Sequence, residues 1–266
     1  MFLLDESTPL KEYATKLADI HQADAGFNLL LFAPSSLSTG GQPGTLAMDA
    51  ELVTNHGGGG QVTHRPLTRA ERACAGVSNG LDGSPCWPKV LSGTEQLQAL
   101  LSRAPETVPT SRTEQECALV NGLLNILSYV ALNSLSAEFS SRIRANISSR
   151  EAVESISDPA DLSTTIQVPL ITLTSVPSLV SKTNKDCAIL AERHVTMYYG
   201  TRLASILLVR RDTGEVMFLE RDVYELPKEG EDGRPKNLSH GRAWESGNDA
   251  GGHDRVFRFT IQQDAV

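Results

Sequence analysis

The stretch "RLASILLVRRDTGEVMFLERDVY", residues 202–224, constrains the fold of this chain most. Two apolar runs flank Asp212-Thr213-Gly214. Ile206 and Leu208 before it, and Val216 and Phe218 after it, alternate with other residues, which is the period of a strand. A short turn carrying a glycine joins two such runs as an antiparallel hairpin. "GFNLLLF" (26–32) and "TLAMDAELVTN" (45–55) supply further strands, and "VFRFTIQ" (256–262) closes the chain as an alternating one. Parallel strands need long crossovers, and the hairpin has none.

Helices come in separate blocks. In "STPLKEYATKLADIH" (7–21), Thr8 is placed to cap and Pro9 to take the first helical position. Leu10, Tyr13, Ala14, Leu17 and Ile20 then share a face. Thr94 is expected to cap a helix carrying Leu97, Leu100 and Leu101. Thr113 and Glu116 have capping-box spacing ahead of "CALVNGLLNILSYVALNSL" (117–135). That run approaches the length of a membrane span. Asn121, Asn125, Ser128 and Asn133 interrupt it, and such groups are costly in lipid, so a buried core helix is expected and no transmembrane segment. Strands and helices in blocks, with antiparallel pairing, imply an α+β fold. One domain over 1–266 is expected, with flexible insertions at 34–44, 137–165 and 225–254, where Gly, Ser, Pro or charge dominates. Residues 61–75 are polar and fit no one element, and 166–181 stay open.

Several functions are disfavoured at once. The formal net charge is −8, and no basic stripe interrupts it, so nucleic acid is not an expected partner. Cys74, Cys86, Cys117 and Cys187 lack metal or redox spacing and read as cytosolic free thiols. The four glycines at 57–60 precede Gln61-Val62-Thr63 rather than Gly-Lys-Ser, so they read as a loop between strands and not a phosphate cradle. His56, His64, His194, His240 and His253 lack the spacing of helical metal ligands; they are expected to face solvent, with no metal and no cofactor. No Gly-x-Ser-x-Gly elbow is present. "MFLLDESTPL" has no basic leader region, which points to the cytoplasm.

Two local features invite a site. "GVSNGLDGSPCWPKV" (76–90) folds Ser78-Asn79-Gly80 into a tight turn, then Asp82-Gly83-Ser84-Pro85 into a second, before Trp87-Pro88 and a solvated Lys89. In "YYGTR" (198–202), Arg202 stands at the entrance to a strand. Asn79 can either face a cleft or satisfy its own turn. Arg202 can either reach a cleft or make a surface salt bridge.

The order of "GFNLLLF", "LVTNHGGG", "GVSNGLDGSPCWPKV", "YYGTRLASILLV", "DTGEVMFLER" and "VFRFTI" resembles the NRDE family, that of the transport and Golgi organisation protein. The family's most specific mark is Gly-Leu-Ser-Asn followed by Thr-Pro-Trp-Pro-Lys-Val, and Val77 and Ser84 replace two of those positions. The resemblance covers 2–103 and 166–261 in outline. The family opens with Met-Cys and an Asn-Arg-Asp-Glu motif; this sequence opens "MFLLDESTPL", so the resemblance implies an N-terminally truncated member.

The resemblance implies a fold similar to N-terminal-nucleophile hydrolases, an αββα sandwich of antiparallel sheets, incomplete at the N-terminus. By analogy Asn79 is the oxyanion asparagine and Arg202 the arginine near the nucleophile. It also implies Golgi organisation and protein secretion, with haem or acyl-chain (lipid) trafficking as the small-molecule side and peripheral Golgi or mitochondrial association. The alternative is a cysteine amidohydrolase, whose terminal nucleophile this sequence does not carry.

Overall fold

A computed structural model describes residues 8–19, 26–35, 45–57, 61–78, 80–103, 111–129, 162–173, 197–225, 235–238, 243–245 and 253–261. In chain order the elements are α1 (Leu10–Ala18), β1 (Asn28–Pro34), β2 (Met48–Thr54), β3 (Thr63–Pro66), α2 (Arg69–Ala73), α3 (Pro88–Ser102), α4 (Arg112–Leu127), β4 (Ile171–Leu173), β5 (Met197–Tyr199), β6 (Leu203–Val209), β7 (Glu215–Asp222), β8 (Tyr224–Glu225), β9 (Lys236–Asn237) and β10 (Asp254–Thr260). The architecture is mixed α+β with two three-stranded sheets, ordered β1-β2-β3 and β10-β7-β6. The chain divides into two compact units, residues 1–108 with 206–219 and 256–266, and residues 109–205 with 220–255.

In the first unit β2 is the central strand. It runs antiparallel to β1, from Asn28 opposite Thr54 to Pro34 opposite Met48, and antiparallel to β3. Central position and the helix α1 packed on it explain why Ala50 through Thr54 are all buried. Leu10 and Ala14 are the buried residues of α1, one turn apart as a core-facing stripe requires. Val53, at 0% exposure, contributes about 1.5–3 kcal/mol by burial.

The hairpin of β6 and β7 forms as the sequence predicts. The Gly214 amide donates to the Arg210 carbonyl at 2.9 Å, and Arg210 N–H donates to Glu215 at 2.8 Å. Gly214 has φ +70°, the left-handed conformation glycine tolerates. The Ile261 amide donates to the Gly214 carbonyl at 2.9 Å, so the turn also sets the register of β10. Val216, Met217 and Leu219 of the central strand β7 are buried.

In the second unit, Asn121 on α4 holds the backbone of Trp244. Its amide donates to the Trp244 carbonyl at 3.0 Å and accepts from the Trp244 N–H at 2.7 Å. Tyr224 is buried, accepts from the Leu170 amide at 3.0 Å, and its hydroxyl is held above its ordinary pKa by desolvation. Leu170, Val223 and Tyr224 make one apolar cluster.

Several sequence expectations need correction. The third helix starts at Pro88 and not after Thr94, because proline needs no N–H partner at a first helical position. The fourth is capped by Ser111, whose hydroxyl accepts from Glu114 N–H at 3.2 Å; Thr113 and Glu116 lie inside it. "SRTEQE" offers the same three-residue spacing twice, and the upstream pair gains extra helical bonds. Only Val120 and Leu124 of α4 are buried, so it is less engulfed than its composition implies, and 130–135 lie outside the described residues. Pro9 is itself the cap of α1, and the helix begins at Leu10. The polar stretch 61–75 holds β3 and α2.

The expected insertions are also partly structured. Pro34 ends β1, whereas 36–44 lie outside the described residues. Of 137–165, residues 162–165 are described and Thr165 is buried. Within 225–254, Lys236–Asn237 pairs with Tyr224–Glu225, and Trp244 is 4% exposed. Aliphatic residues are scarce there, but one tryptophan suffices to dock the segment.

Candidate functional site

One end of the first sheet gathers three loops. Asn28, the first residue of β1, turns its amide toward the second of them. Its Nδ2 donates to the Ser78 carbonyl at 2.5 Å and to the Gly80 carbonyl at 2.8 Å, using both of its protons. Asn55, just past β2, is 2% exposed and accepts the Phe27 N–H at 2.8 Å. His56 follows at φ 52°, with its ring Nε2 2.8 Å from the Thr63 hydroxyl.

Glycines let these loops touch. A Cβ on Gly26 would stand 2.6 Å from the carbonyl carbon and oxygen of Gly57. One on Gly57, at φ +91°, would stand 2.8 Å from Leu81 Cδ2. Gly80 lies against the indole of Trp87, the cap residue of α3. Ser78, Gly80 and Leu81 are therefore held by the Asn28 amide, by Gly57 and by the Trp87 indole. Lys89 is half-buried, with its ammonium 5.0 Å from the centre of the Trp87 ring. Burial lowers its pKa, so the expectation of a fully solvated lysine is corrected.

Arg65 on β3 anchors the second turn. Its guanidinium grips Asp82 at 2.8 Å through Nε and Nη2, and Glu71 at 2.9 and 2.8 Å through Nη1 and Nη2. Glu71 also completes the capping box of α2 with Thr68. The hydrogen bond from Arg65 is the main cause that lowers the Glu71 pKa to about 2, and it holds Asp82 low as well. A depressed carboxylate stabilises the fold above its unfolded pKa of 4.5, and that contribution is lost as pH falls toward 2. All three side chains are 24–35% exposed, so solvent screening trims the expected amount to about 1 kcal/mol. Urea unfolding between pH 5 and pH 2.5 should show this slope in the native protein and a shallower one in Arg65→Met. Equal slopes would rule the linkage out.

His64 is not the solvent-facing residue expected. Its Nδ1 lies 3.1 Å from Glu51 Oε2 and its Nε2 3.2 Å from the Thr15 hydroxyl, with its side chain 19% exposed and that of Glu51 8%. A carboxylate buried on a central strand requires such a partner.

Asn79 lies outside the described residues, while Ser78 and Gly80 on either side are described. Arg202 directly precedes β6 and is exposed. Its carbonyl accepts the Val223 N–H at 2.8 Å. Asp222 is held below its usual pKa chiefly by its hydrogen bond from Arg255, with the charges of Arg202 and His253 adding to this. Arg202 belongs to the second unit and Asn79 to the first. Sequence reasoning missed Asn28, Asn55 and Gly26. The available signal was Asn28 itself, one amide in the otherwise apolar "GFNLLLF".

Among the described residues no three His, Cys, Asp or Glu come together as a metal site, and no helix is long and apolar enough to cross a membrane.

A model of the family described as Transport and Golgi organisation 2 matches residues 1–225. The chain belongs to this family. The match takes in β1 to β8 and the whole 76–90 segment, so the resemblance carried by those motifs holds; β9 and β10 lie beyond it. No curated protein and no solved structure matches the chain.

Proposed function

We propose that the protein acts in Golgi organisation and protein secretion, handling a haem or acyl-chain compound as cargo rather than transforming it. Membership of the Transport and Golgi organisation 2 family over residues 1–225 carries this reading. Ser78 and Gly80, both held by Asn28 beside the exposed apolar side chains of Val77 and Leu81, support it. In this proposal Asn79 and Arg202 are the ligand-facing polar residues, and the layers follow the sandwich of N-terminal-nucleophile hydrolases. The protein would work from the cytoplasm at the Golgi or mitochondrial surface.

Two measurements test it. Depletion in the source cells should disperse the Golgi and slow a secreted reporter. The purified chain should bind hemin or palmitate with a dissociation constant at or below the micromolar range, about −8 kcal/mol. Normal Golgi and secretion in depleted cells would exclude the cellular role, and absence of binding to both probes the cargo role.

The second reading is amide hydrolysis. What favours it is the clasp of Asn28 on Ser78 and Gly80, the neighbours of the candidate oxyanion residue Asn79, since oxyanion stabilisation needs donors that do not reorganise. Release of phenoxyacetate from penicillin V by the protein purified from its source, with its N-terminal residue identified on the same sample, would establish it. No release from this substrate or from glycocholate would count against it.

A further inference from the structure

We propose that Asn28 is a positioning residue for Ser78 and Gly80, and so for the exposed Val77 and Leu81 beside them; this rests on the ligand-handling reading above. The observation is the double donation from one nitrogen to the carbonyls of Ser78 and Gly80, the two described residues on either side of position 79. These two carbonyls are two residues apart, and one amide nitrogen fixes both. An aspartate has the same shape but no protons to give, and would set a negative oxygen against two carbonyl oxygens.

Position strengthens the argument. Among the described residues, Asn28 opens a strand that pairs with β2 alone. It is placed where the ladder ends and the side chain can reach outward. The turn is confined on its other sides by Leu81 against Gly57 and by Trp87 against Gly80, so the amide supplies the polar part of a clasp whose remainder is apolar. Trp87 also caps a fifteen-residue helix, which gives the clasp a rigid backing.

The experiment uses the full chain labelled with carbon-13 and nitrogen-15. Asn28→Asp and Asn28→Gln are compared with the native protein by carbonyl chemical shifts, and hemin affinity is measured on the same samples. Asn28→Asp should move the Ser78 and Gly80 carbonyl signals, leave those of β2 in place, and weaken hemin binding about ten-fold. Asn28→Gln, which keeps the amide, should recover part of both. A general loss of stability would instead move signals throughout the sheet. If Asn28→Asp does not fold, Asn28→Ser keeps one donor and should give a smaller local change. Unmoved Ser78 and Gly80 signals overturn the proposal, and so do moved signals with native affinity. A native chain that binds neither hemin nor palmitate defeats the cargo reading, and the carbonyl signals alone then decide whether Asn28 holds the turn.

Discussion

Replacing Arg221 by alanine should cost about 3–5 kcal/mol of unfolding free energy, the range for leaving one buried charge without its partner. Arg221 lies on β7 and grips Asp254 at the start of β10 through two hydrogen bonds of 2.8 and 2.7 Å. The two side chains are only 6% and 10% exposed. Water therefore cannot compensate Asp254 once the guanidinium has gone. The nearby pairs of Arg255 with Asp222 and Glu220 are more exposed and cannot substitute. The double variant Arg221→Met/Asp254→Leu should recover most of the loss, because both desolvation penalties disappear together. Urea denaturation reads both. A single-variant loss under about 1 kcal/mol would mean that the pair is solvated in solution.

Gly214→Ala should cost about 2–4 kcal/mol. Two causes add. The backbone sits at φ +70°, which alanine adopts at a penalty of about 1 kcal/mol. The new methyl would also stand 2.5 Å from the carbonyl oxygen of Ile261, a backbone atom that cannot swing aside. Such overpacking typically costs about 1–3 kcal/mol. The damage should reach β10, since Ile261 bonds back to Gly214. Faster hydrogen exchange at Ile261 than in the native protein would show that link. Thermal unfolding within a degree of native would show that the turn relaxes freely.

The hairpin at 212–214 was readable from sequence because everything that makes it is local: alternation on both sides and a glycine between. The α+β class followed from the same signal. Helix starts were harder. "SRTEQE" carries two overlapping caps, and choosing between them depends on which start gains more helical bonds. β3 was invisible because an edge strand of four residues, Thr-His-Arg-Pro, has no apolar alternation; it exists through its pairing with β2. The site divides in the same way. The Ser-Asn-Gly turn expected from sequence has its central residue outside the described residues, whereas the clasp on Ser78 and Gly80 joins them to Asn28, fifty positions away. His64 was misjudged for a similar reason, since its partners Glu51 and Thr15 come from two other elements.

The closeness of Gly26 and Gly57 has a consequence for how such a sequence can change over time. The two positions are far apart in the chain but occupy one space, so a side chain at Gly26 meets the backbone of Gly57. Neither Gly26 nor Gly57 can then shift on its own. A substitution at Gly26 becomes tolerable only after the partner loop has already shifted, so the order of mutations matters as much as their identity. The pair acts as a ratchet on this end of the sheet, whatever the turn beside it holds.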